Sequence, residues 1–155
     1  EISKDYAGKD LLVVGILKGS VLFTSDLIKN ISIPCEIDFM AVSSYGNSAQ
    51  TSGVVRILKD LDSDIENKHV LIVEDIVDTG TTLSYLLEYL KARKAASIEI
   101  VALLDKEARR TSNVSAKYKG FDVPDEFIVG YGIDYAEKYR NLPFIGALKE
   151  EIYNK

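Results

Sequence analysis

The stretch from Val70 to Leu83 constrains the fold of this 155-residue chain more than any other. It reads Val-Leu-Ile-Val-Glu-Asp-Ile-Val-Asp-Thr-Gly-Thr-Thr-Leu. Its first four residues are apolar and mostly β-branched, which is typical of a buried strand, and leucines at positions 83, 86, 87 and 90 have helical spacing. We therefore predict a strand over residues 69–73, a tight loop that carries the acids, and a helix over residues 82–92.

The predicted loop has the features of a phosphate site. Free N–H groups at the start of a helix, with the hydroxyls of Thr79, Thr81 and Thr82 beside them, form a socket for an anion. Glu74 and Asp75 would repel a phosphate, so we expect them to face vicinal sugar hydroxyls or a hard cation. A ribose 5-phosphate would satisfy both halves of the stretch.

The stretch resembles the phosphoribosyl diphosphate (PRPP) motif of the type I phosphoribosyltransferases, and in its details the 6-oxopurine branch, the hypoxanthine-guanine phosphoribosyltransferases. Two other interpretations exist. The first is an acidic turn that caps a helix. The second is an aspartic-protease signature at residues 78–80, which would need two such loops. The chain has one Asp-Thr-Gly, and a helical leucine pattern follows it.

Apolar runs alternate with helical patterns, which predicts an α/β fold with a doubly wound, mainly parallel sheet. Such sheets bind ligands beyond the carboxyl ends of their strands, where the candidate residues lie. The resemblance adds a small hood and a flexible loop, and we expect one domain over residues 1–155. The predicted strands are 11–17, 35–43, 54–59, 69–73, 98–104, two short pieces within 121–131, and 144–148; the predicted helices are 21–30 and 82–92, with a helical turn within 134–140.

Composition limits the classes of partner. The net charge is −5 and the pI is about 5.0, which argues against nucleic-acid binding through a basic surface. A single cysteine excludes an internal disulfide. The longest apolar run, residues 11–17, is too short to span a bilayer, and no leader pattern opens the chain. We expect a cytoplasmic protein that binds neither nucleic acid nor membranes.

The resemblance extends over nearly the whole chain and implies a pyrophosphate site. Leu17-Lys18-Gly19, after the first predicted strand, is similar to the family's pyrophosphate loop, which often contains a cis peptide bond. Arg140 resembles the family's pyrophosphate-binding arginine. Ser44-Tyr45 resembles the start of the flexible loop that closes over the active site, within a long polar loop predicted for residues 44–53.

The resemblance also implies a purine site. Lys106 matches the lysine that binds the purine 6-oxygen, while Phe127 and Ile128 match the segment that stacks on the base and hydrogen-bonds it through the backbone. Asp134 resembles a magnesium ligand. Asp78 lies near purine N7 by resemblance and could act as general base.

The implied sites form four groups. The ribose-phosphate group consists of Glu74, Asp75, Asp78, Thr79, Gly80, Thr81 and Thr82; the pyrophosphate group of Leu17, Lys18, Gly19 and Arg140; the purine group of Lys106, Phe127, Ile128 and Asp134; and the Mg²⁺ ligands of Glu74, Asp75 and Asp134.

The resulting hypothesis is purine salvage: transfer of the 5-phosphoribosyl group from PRPP to hypoxanthine or guanine, giving IMP or GMP and pyrophosphate, by a homodimer or homotetramer. One alternative is a PRPP-binding regulator of RNA, which the acidic balance disfavours. Another is a transferase for xanthine, adenine or a pyrimidine, and Lys106 beside the Phe127 segment argues against the last two. Family members usually carry another helix and strand before the first predicted strand, so we expect this chain to lack part of that segment.

Overall fold

The structure is a computed structural model that describes residues 1–44 and 55–154. The strands in these ranges are β1 (Leu11–Leu17), β2 (Glu36–Ser44), β3 (Val55–Lys59), β4 (His69–Val77), β5 (Ser97–Asp105), β6 (Tyr118–Asp122), β7 (Ile128–Val129) and β8 (Gly146–Ala147). The helices are α1 (Ile2–Asp5), α2 (Val21–Lys29), α3 (Thr81–Lys91) and α4 (Glu150–Tyr153), with a 3₁₀ turn at Glu107–Arg109. No helix of these two ranges is both long and apolar enough to cross a membrane.

Six strands form one sheet in the order β3-β2-β1-β4-β5-β6, and only β3 within it runs antiparallel to its neighbour. Alternate residues of β1 pack into two different hydrophobic clusters, one on each face of the sheet. Val13 packs in a cluster with Leu27 of α2, whereas Val14 packs in a cluster with Leu86 of α3. Helices therefore cover both faces of a mainly parallel sheet, and the predicted doubly wound α/β fold is confirmed.

Strands β7 and β8 pair as a separate two-stranded sheet. Ile128 and Ile133 pack against Leu104 near the end of β5 and against Ile76 near the end of β4. The small sheet therefore lies at the carboxyl edge of the large one, in the position expected of a hood.

Strand β4 is longer than predicted, because it continues through the acids to Val77. Glu74 is in register with Ala102 and Ile76 with Leu104, so β5 supplies ladder partners that the local sequence does not reveal. Sheet pairing thus overrides the low strand propensity of two adjacent acids. The predicted end of this strand at Val73 was wrong, and the acids lie on the strand rather than in the loop.

The helical turn predicted within residues 134–140 was also wrong. The backbone of Tyr135 and Lys138 exchanges two hydrogen bonds of 3.0 and 2.9 Å, which closes a tight antiparallel turn. Ala136, Glu137 and Tyr139 have positive φ angles, which a right-handed helix does not allow. The last strand is shorter than predicted, at Gly146–Ala147, and β6 begins earlier, at Tyr118.

Candidate active site

The turn from β4 into α3 forms a small cavity at the start of the helix. Its volume is about 120 Å³, and it is lined by Glu74 and by residues 76–83. Gly80 precedes the first helical residue with a φ of +84°, and a Cβ there would collide with the Ser112 hydroxyl. The Thr79 and Thr81 hydroxyls are 3.2 Å apart beside the first turn. Threonine hydroxyls and the N–H groups of the helix start thus lie together where the sequence predicts a phosphate, and the Thr81 amide donates to the Thr79 hydroxyl at 3.4 Å.

Arg110 holds this turn in place. Its Nε donates to the Asp78 carbonyl at 3.1 Å, its Nη1 donates to the Val114 carbonyl at 2.7 Å, and its Nη2 pairs with the buried Asp105. The Thr79 carbonyl accepts from the Thr111 amide at 3.0 Å on the same side. Since C=O and N–H point in opposite directions across a trans peptide, the amides that follow these two carbonyls are directed away from Arg110 and are free to bind an anion.

One acid of the pair is buried and the other is partly exposed. Glu74 is only 8% exposed, and burial together with the charge of Asp75 raises the pKa of Glu74 well above its usual range. Asp75 has an intermediate exposure, and desolvation raises its pKa as well. Two adjacent acids with raised pKa values are costly as a pair of anions, so groups that donate hydrogen bonds or carry positive charge would be bound here.

The end of β1 lies against this acid pair. The peptide bond between Leu17 and Lys18 is cis, as the family resemblance implied. A Cβ on Gly19 would collide with the Asp75 carboxylate, so no larger residue fits the observed backbone. The predicted pyrophosphate loop and the predicted ribose acids are therefore direct neighbours.

A second cavity, of about 250 Å³, lies under the hood. It is lined by Ile76, Asp78, Lys106, Arg109, Phe127, Ile128, Ile133 and Asp134. Lys106 follows β5, is 8% exposed, and is tied to β4 by its amide, which donates to the Val77 carbonyl at 2.9 Å. Phe127 is 38% exposed and rests on Tyr153, with ring centroids 5.0 Å apart. A buried ammonium and an aromatic ring therefore share a cavity large enough for a purine.

Ile76 and Asp78 line both cavities, so one ligand can extend from the turn between β4 and α3 to the hood. Oδ1 of Asp78 is buried and accepts no hydrogen bond from the described residues. Arg109 Nε lies 2.9 Å from this oxygen and forms an ion pair with it, but the Nε–H group is not aligned for a hydrogen bond. Asp78 thus places, at the junction of the cavities, a carboxylate whose buried oxygen is ion-paired with Arg109 but accepts no aligned hydrogen bond from the described residues.

The turn at residues 134–140, called the hood turn below, brings Arg140 toward the carboxyl edge of the large sheet. Its Nη1 donates to the Gly132 carbonyl at 2.8 Å, its Nη2 lies 3.5 Å from Asp134, and its buried Nε has no acceptor among the described residues. Lys18 and Arg140 both contact Glu137, at 3.0 and 3.2 Å. The two cations predicted to bind pyrophosphate are thus held near one another by a carboxylate.

Comparison with known proteins is consistent with this geometry. The model of the phosphoribosyl transferase domain family matches residues 1–136. A hypoxanthine-guanine phosphoribosyltransferase of Staphylococcus aureus is 58% identical over 154 residues, which are 99% of this chain and 86% of that protein. The chain belongs to the phosphoribosyl transferase family.

Solved structures of family members have the same fold as this chain. A hypoxanthine phosphoribosyltransferase of S. aureus superposes with a TM-score of 0.96 at 58% identity, over 99% of this chain and 84% of the other. A hypoxanthine-guanine phosphoribosyltransferase of Bacillus anthracis, with a HEPES molecule in its active site, superposes with a TM-score of 0.91 at 49% identity. That match covers 96% of this chain and 87% of the other.

The structure brings most of the predicted phosphoribosyltransferase site to one edge of the sheet, but not all of it. Glu74, Asp75 and Asp134 do not form a cluster of three metal-binding side chains within residues 1–44 and 55–154. Tyr45, the Ser44 side chain and the polar loop that follows lie outside the described residues. The role of each site residue therefore stays a prediction.

Sequence reasoning missed three charged residues of this phosphoribosyltransferase site: Arg109, Arg110 and Glu137. A signal existed for the arginines, because Asp105 ends a buried strand and requires a cation, and two arginines follow within five residues. Glu137 had no such signal. It reaches Lys18 across 119 residues of sequence, and no local pattern marks that contact.

Proposed function

We propose that this chain transfers the 5-phosphoribosyl group of PRPP to hypoxanthine or guanine, giving IMP or GMP and pyrophosphate, in purine salvage. The observation that carries the proposal is the pair of cavities that share Ile76 and Asp78. One begins at a helix N-terminus with threonine hydroxyls, and the other contains Lys106 and Phe127. The hypoxanthine-guanine activity named for relatives 58% identical to this chain supports the same assignment.

Each cavity has a part in the reaction. The turn at residues 78–82 holds the 5-phosphate, and Glu74 and Asp75 accept hydrogen bonds from the ribose hydroxyls. A nitrogen of the base attacks the anomeric carbon, the bond from this carbon to the pyrophosphate oxygen breaks, and pyrophosphate leaves with the bonding electron pair. The proton displaced from the purine passes to the carboxylate of Asp78.

Cations stabilise the leaving group. Lys18 and Arg140 bind the pyrophosphate oxygens, and the buried Nε of Arg140 is a donor with no acceptor among the described residues. The base is held by Lys106, which donates to the 6-oxygen, and by the ring of Phe127, which stacks on it.

The acidic side chains fit a divalent cation. Glu74 and the partly exposed Asp75 are neighbours whose pKa values are raised, and a cation would lower both pKa values; Asp134 lies at the same edge of the sheet. A bound Mg²⁺ would supply positive charge to the pyrophosphate of PRPP. Magnesium is commonly held by one or two carboxylates with the substrate phosphates, so Glu74, Asp75 and Asp134 would hold it together with PRPP rather than as a closed protein site.

A direct assay tests the proposal. The purified chain is mixed with PRPP, MgCl₂ and one base at a time, and nucleotide formation is followed by chromatography. We expect IMP and GMP from hypoxanthine and guanine and little product from adenine or uracil. Binding of PRPP without turnover on any base would instead favour a regulatory protein, and equal use of adenine would contradict the 6-oxopurine assignment.

The proposal includes three further statements. Residues 1–155 act as one transferase domain in the cytoplasm, and the chain forms a homodimer or homotetramer. Exposed apolar side chains on α2, Val21 at 39% and Leu22 at 38%, support self-association. Sedimentation equilibrium on the purified protein tests the last statement, and a monomer at micromolar concentration would contradict it.

A further inference from the structure

The side chain of Glu137 bridges the two cations assigned to pyrophosphate. Its Oε2 accepts from Lys18 Nζ at 3.0 Å and its Oε1 accepts from Arg140 Nη2 at 3.2 Å. Lys18 follows β1, whereas Arg140 belongs to the hood turn. One carboxylate therefore uses both oxygens to join a cation of the main sheet to a cation of the hood.

The backbone of the hood turn fixes the position of the Glu137 carboxylate. The Glu137 amide donates to Asp134 Oδ2 at 2.8 Å, and Ala136 and Glu137 both have left-handed backbone conformations, with φ angles of 51° and 66°. The hydrogen bonds from Lys18 and Arg140 lower the pKa of Glu137, so it is ionised at neutral pH. It thus presents two anionic oxygens to the same donors that a pyrophosphate group would use.

We propose that Glu137 is an internal counterion of the pyrophosphate site: it holds Lys18 and Arg140 when no pyrophosphate group is bound, and it releases both when PRPP or pyrophosphate binds. The inference rests on the proposed function and deepens it. When PRPP or pyrophosphate binds, the two ion pairs of Glu137 are exchanged for ion pairs with the ligand. The net affinity for the ligand is therefore lower than its own contacts alone would give.

The expected consequence is easier release of the product. A diphosphate that binds two unpaired cations in a transferase would leave slowly, and release rather than chemistry often limits turnover. Because the Lys18 and Glu137 side chains are 68% and 65% exposed, each pair has a small effect, and the two together should change affinity by about three- to tenfold.

The test uses a variant that removes the negative charge of Glu137 and keeps the size of its side chain. Titration calorimetry with inorganic pyrophosphate and MgCl₂ compares the parent with Glu137→Gln, and we expect the variant to bind about three- to tenfold more tightly. In steady-state assays its KM for PRPP should fall and inhibition by pyrophosphate should strengthen by a similar factor, while kcat does not rise. The difference should shrink at 0.5 M salt, because exposed pairs are screened.

Two further variants isolate the cause. Glu137→Asp keeps the charge on a shorter side chain that cannot reach both cations, so its affinity should lie between those of the parent and Glu137→Gln. Glu151→Gln removes one exposed negative charge from α4, outside the site, and should bind pyrophosphate as the parent does. If Glu137→Gln fails to fold, the Glu137→Asp comparison alone decides between tighter and unchanged binding.

The outcomes separate the two hypotheses. A parent that forms IMP or GMP and binds pyrophosphate, with equal or weaker binding in Glu137→Gln, would overturn the counterion role alone. Weaker binding with a lowered melting temperature would show that Glu137 only supports Arg140, which also contradicts the inference. A parent that neither binds PRPP nor forms nucleotide would overturn the proposed function itself.

Discussion

Replacement of Lys106 by glutamine should change which purines the enzyme accepts. Lys106 lines a cavity with Asp78 and Phe127 and is only 8% exposed as a residue, so a bound base would face a charge on a largely buried side chain. A 6-oxygen can accept from this group, whereas the 6-amino group of adenine meets it donor to donor. The parent should therefore prefer hypoxanthine over adenine by about 10⁴-fold or more in kcat/KM, as sites built around one obligatory hydrogen bond do.

The glutamine amide can either donate or accept, so the variant should lose this discrimination. Exchange of a charged donor for a neutral one costs at most the roughly 1.5–3 kcal/mol of the charged hydrogen bond, so kcat/KM for hypoxanthine should fall by up to about 10- to 150-fold. Removal of the unpaired charge should raise the value for adenine, so the preference should fall by at least about 100-fold. Stacking on Phe127 serves any purine and should not change the ratio.

The assay measures initial rates with hypoxanthine and with adenine at saturating PRPP and MgCl₂. Lys91→Gln is the matched control, because Lys91 ends α3 far from the site and its side chain is 63% exposed. The control should keep the parental ratio. An unchanged hypoxanthine-to-adenine ratio in Lys106→Gln would refute the reasoning, since Lys106 would then be only a lysine at the end of a strand.

Three other predictions follow from the described contacts. Asp78→Asn keeps the size but cannot take up a proton, so kcat should fall by about 10²- to 10⁴-fold while calorimetry still detects PRPP binding; near-parental turnover would assign the proton to another group. Glu74→Gln removes a buried acid whose pKa is raised, so thermal scans at pH 7 should show a higher melting temperature and titrations a weaker affinity for PRPP. Burial would raise the pKa of Asp38, but the amides of Asp62 and Phe39 and the Lys59 ammonium outweigh it and lower this pKa. Asp38 therefore stabilises the fold at neutral pH, and acid titration should show this contribution disappearing as the pH falls below about 4, but not in Asp38→Asn.

The sequence could predict the turn between β4 and α3 because that feature is local. A buried strand, Gly80 and the leucines of α3 all act within about 20 residues, and the helix begins at Thr81, one residue before the predicted start. The alternation of apolar runs likewise predicted the sheet, because strands buried on both faces require cover on both faces.

The features that the sequence could not predict depend on distant partners. Strand β4 extends past Val73 because β5 supplies hydrogen-bonding positions up to Asp105. The 134–140 segment is the exception, because the Tyr135 and Lys138 backbone groups that close its tight turn are near each other in the sequence. Arg110 gains its role from the Asp78 carbonyl, 32 residues earlier in the chain, as well as from Asp105. Burial patterns along one strand or helix carry no record of such contacts.

Apart from the buried Tyr6 hydroxyl, the side chains that the described part of the fold leaves without a partner lie at one edge of the sheet. Glu74 is buried next to the partly exposed Asp75, whose carboxylate faces Gly19; Oδ1 of Asp78 accepts no hydrogen bond from the described residues, and Nε of Arg140 has no acceptor among them. Each is costly in the free protein, since a buried polar group without a partner costs about 1–3 kcal/mol. PRPP and a purine would supply hydroxyls to the acids, a proton to Asp78 and oxyanions to Arg140. The cost that each group imposes on the free protein would then be recovered when substrate binds, so variants that remove these groups should lower substrate affinity or turnover more than they lower the stability of the free protein.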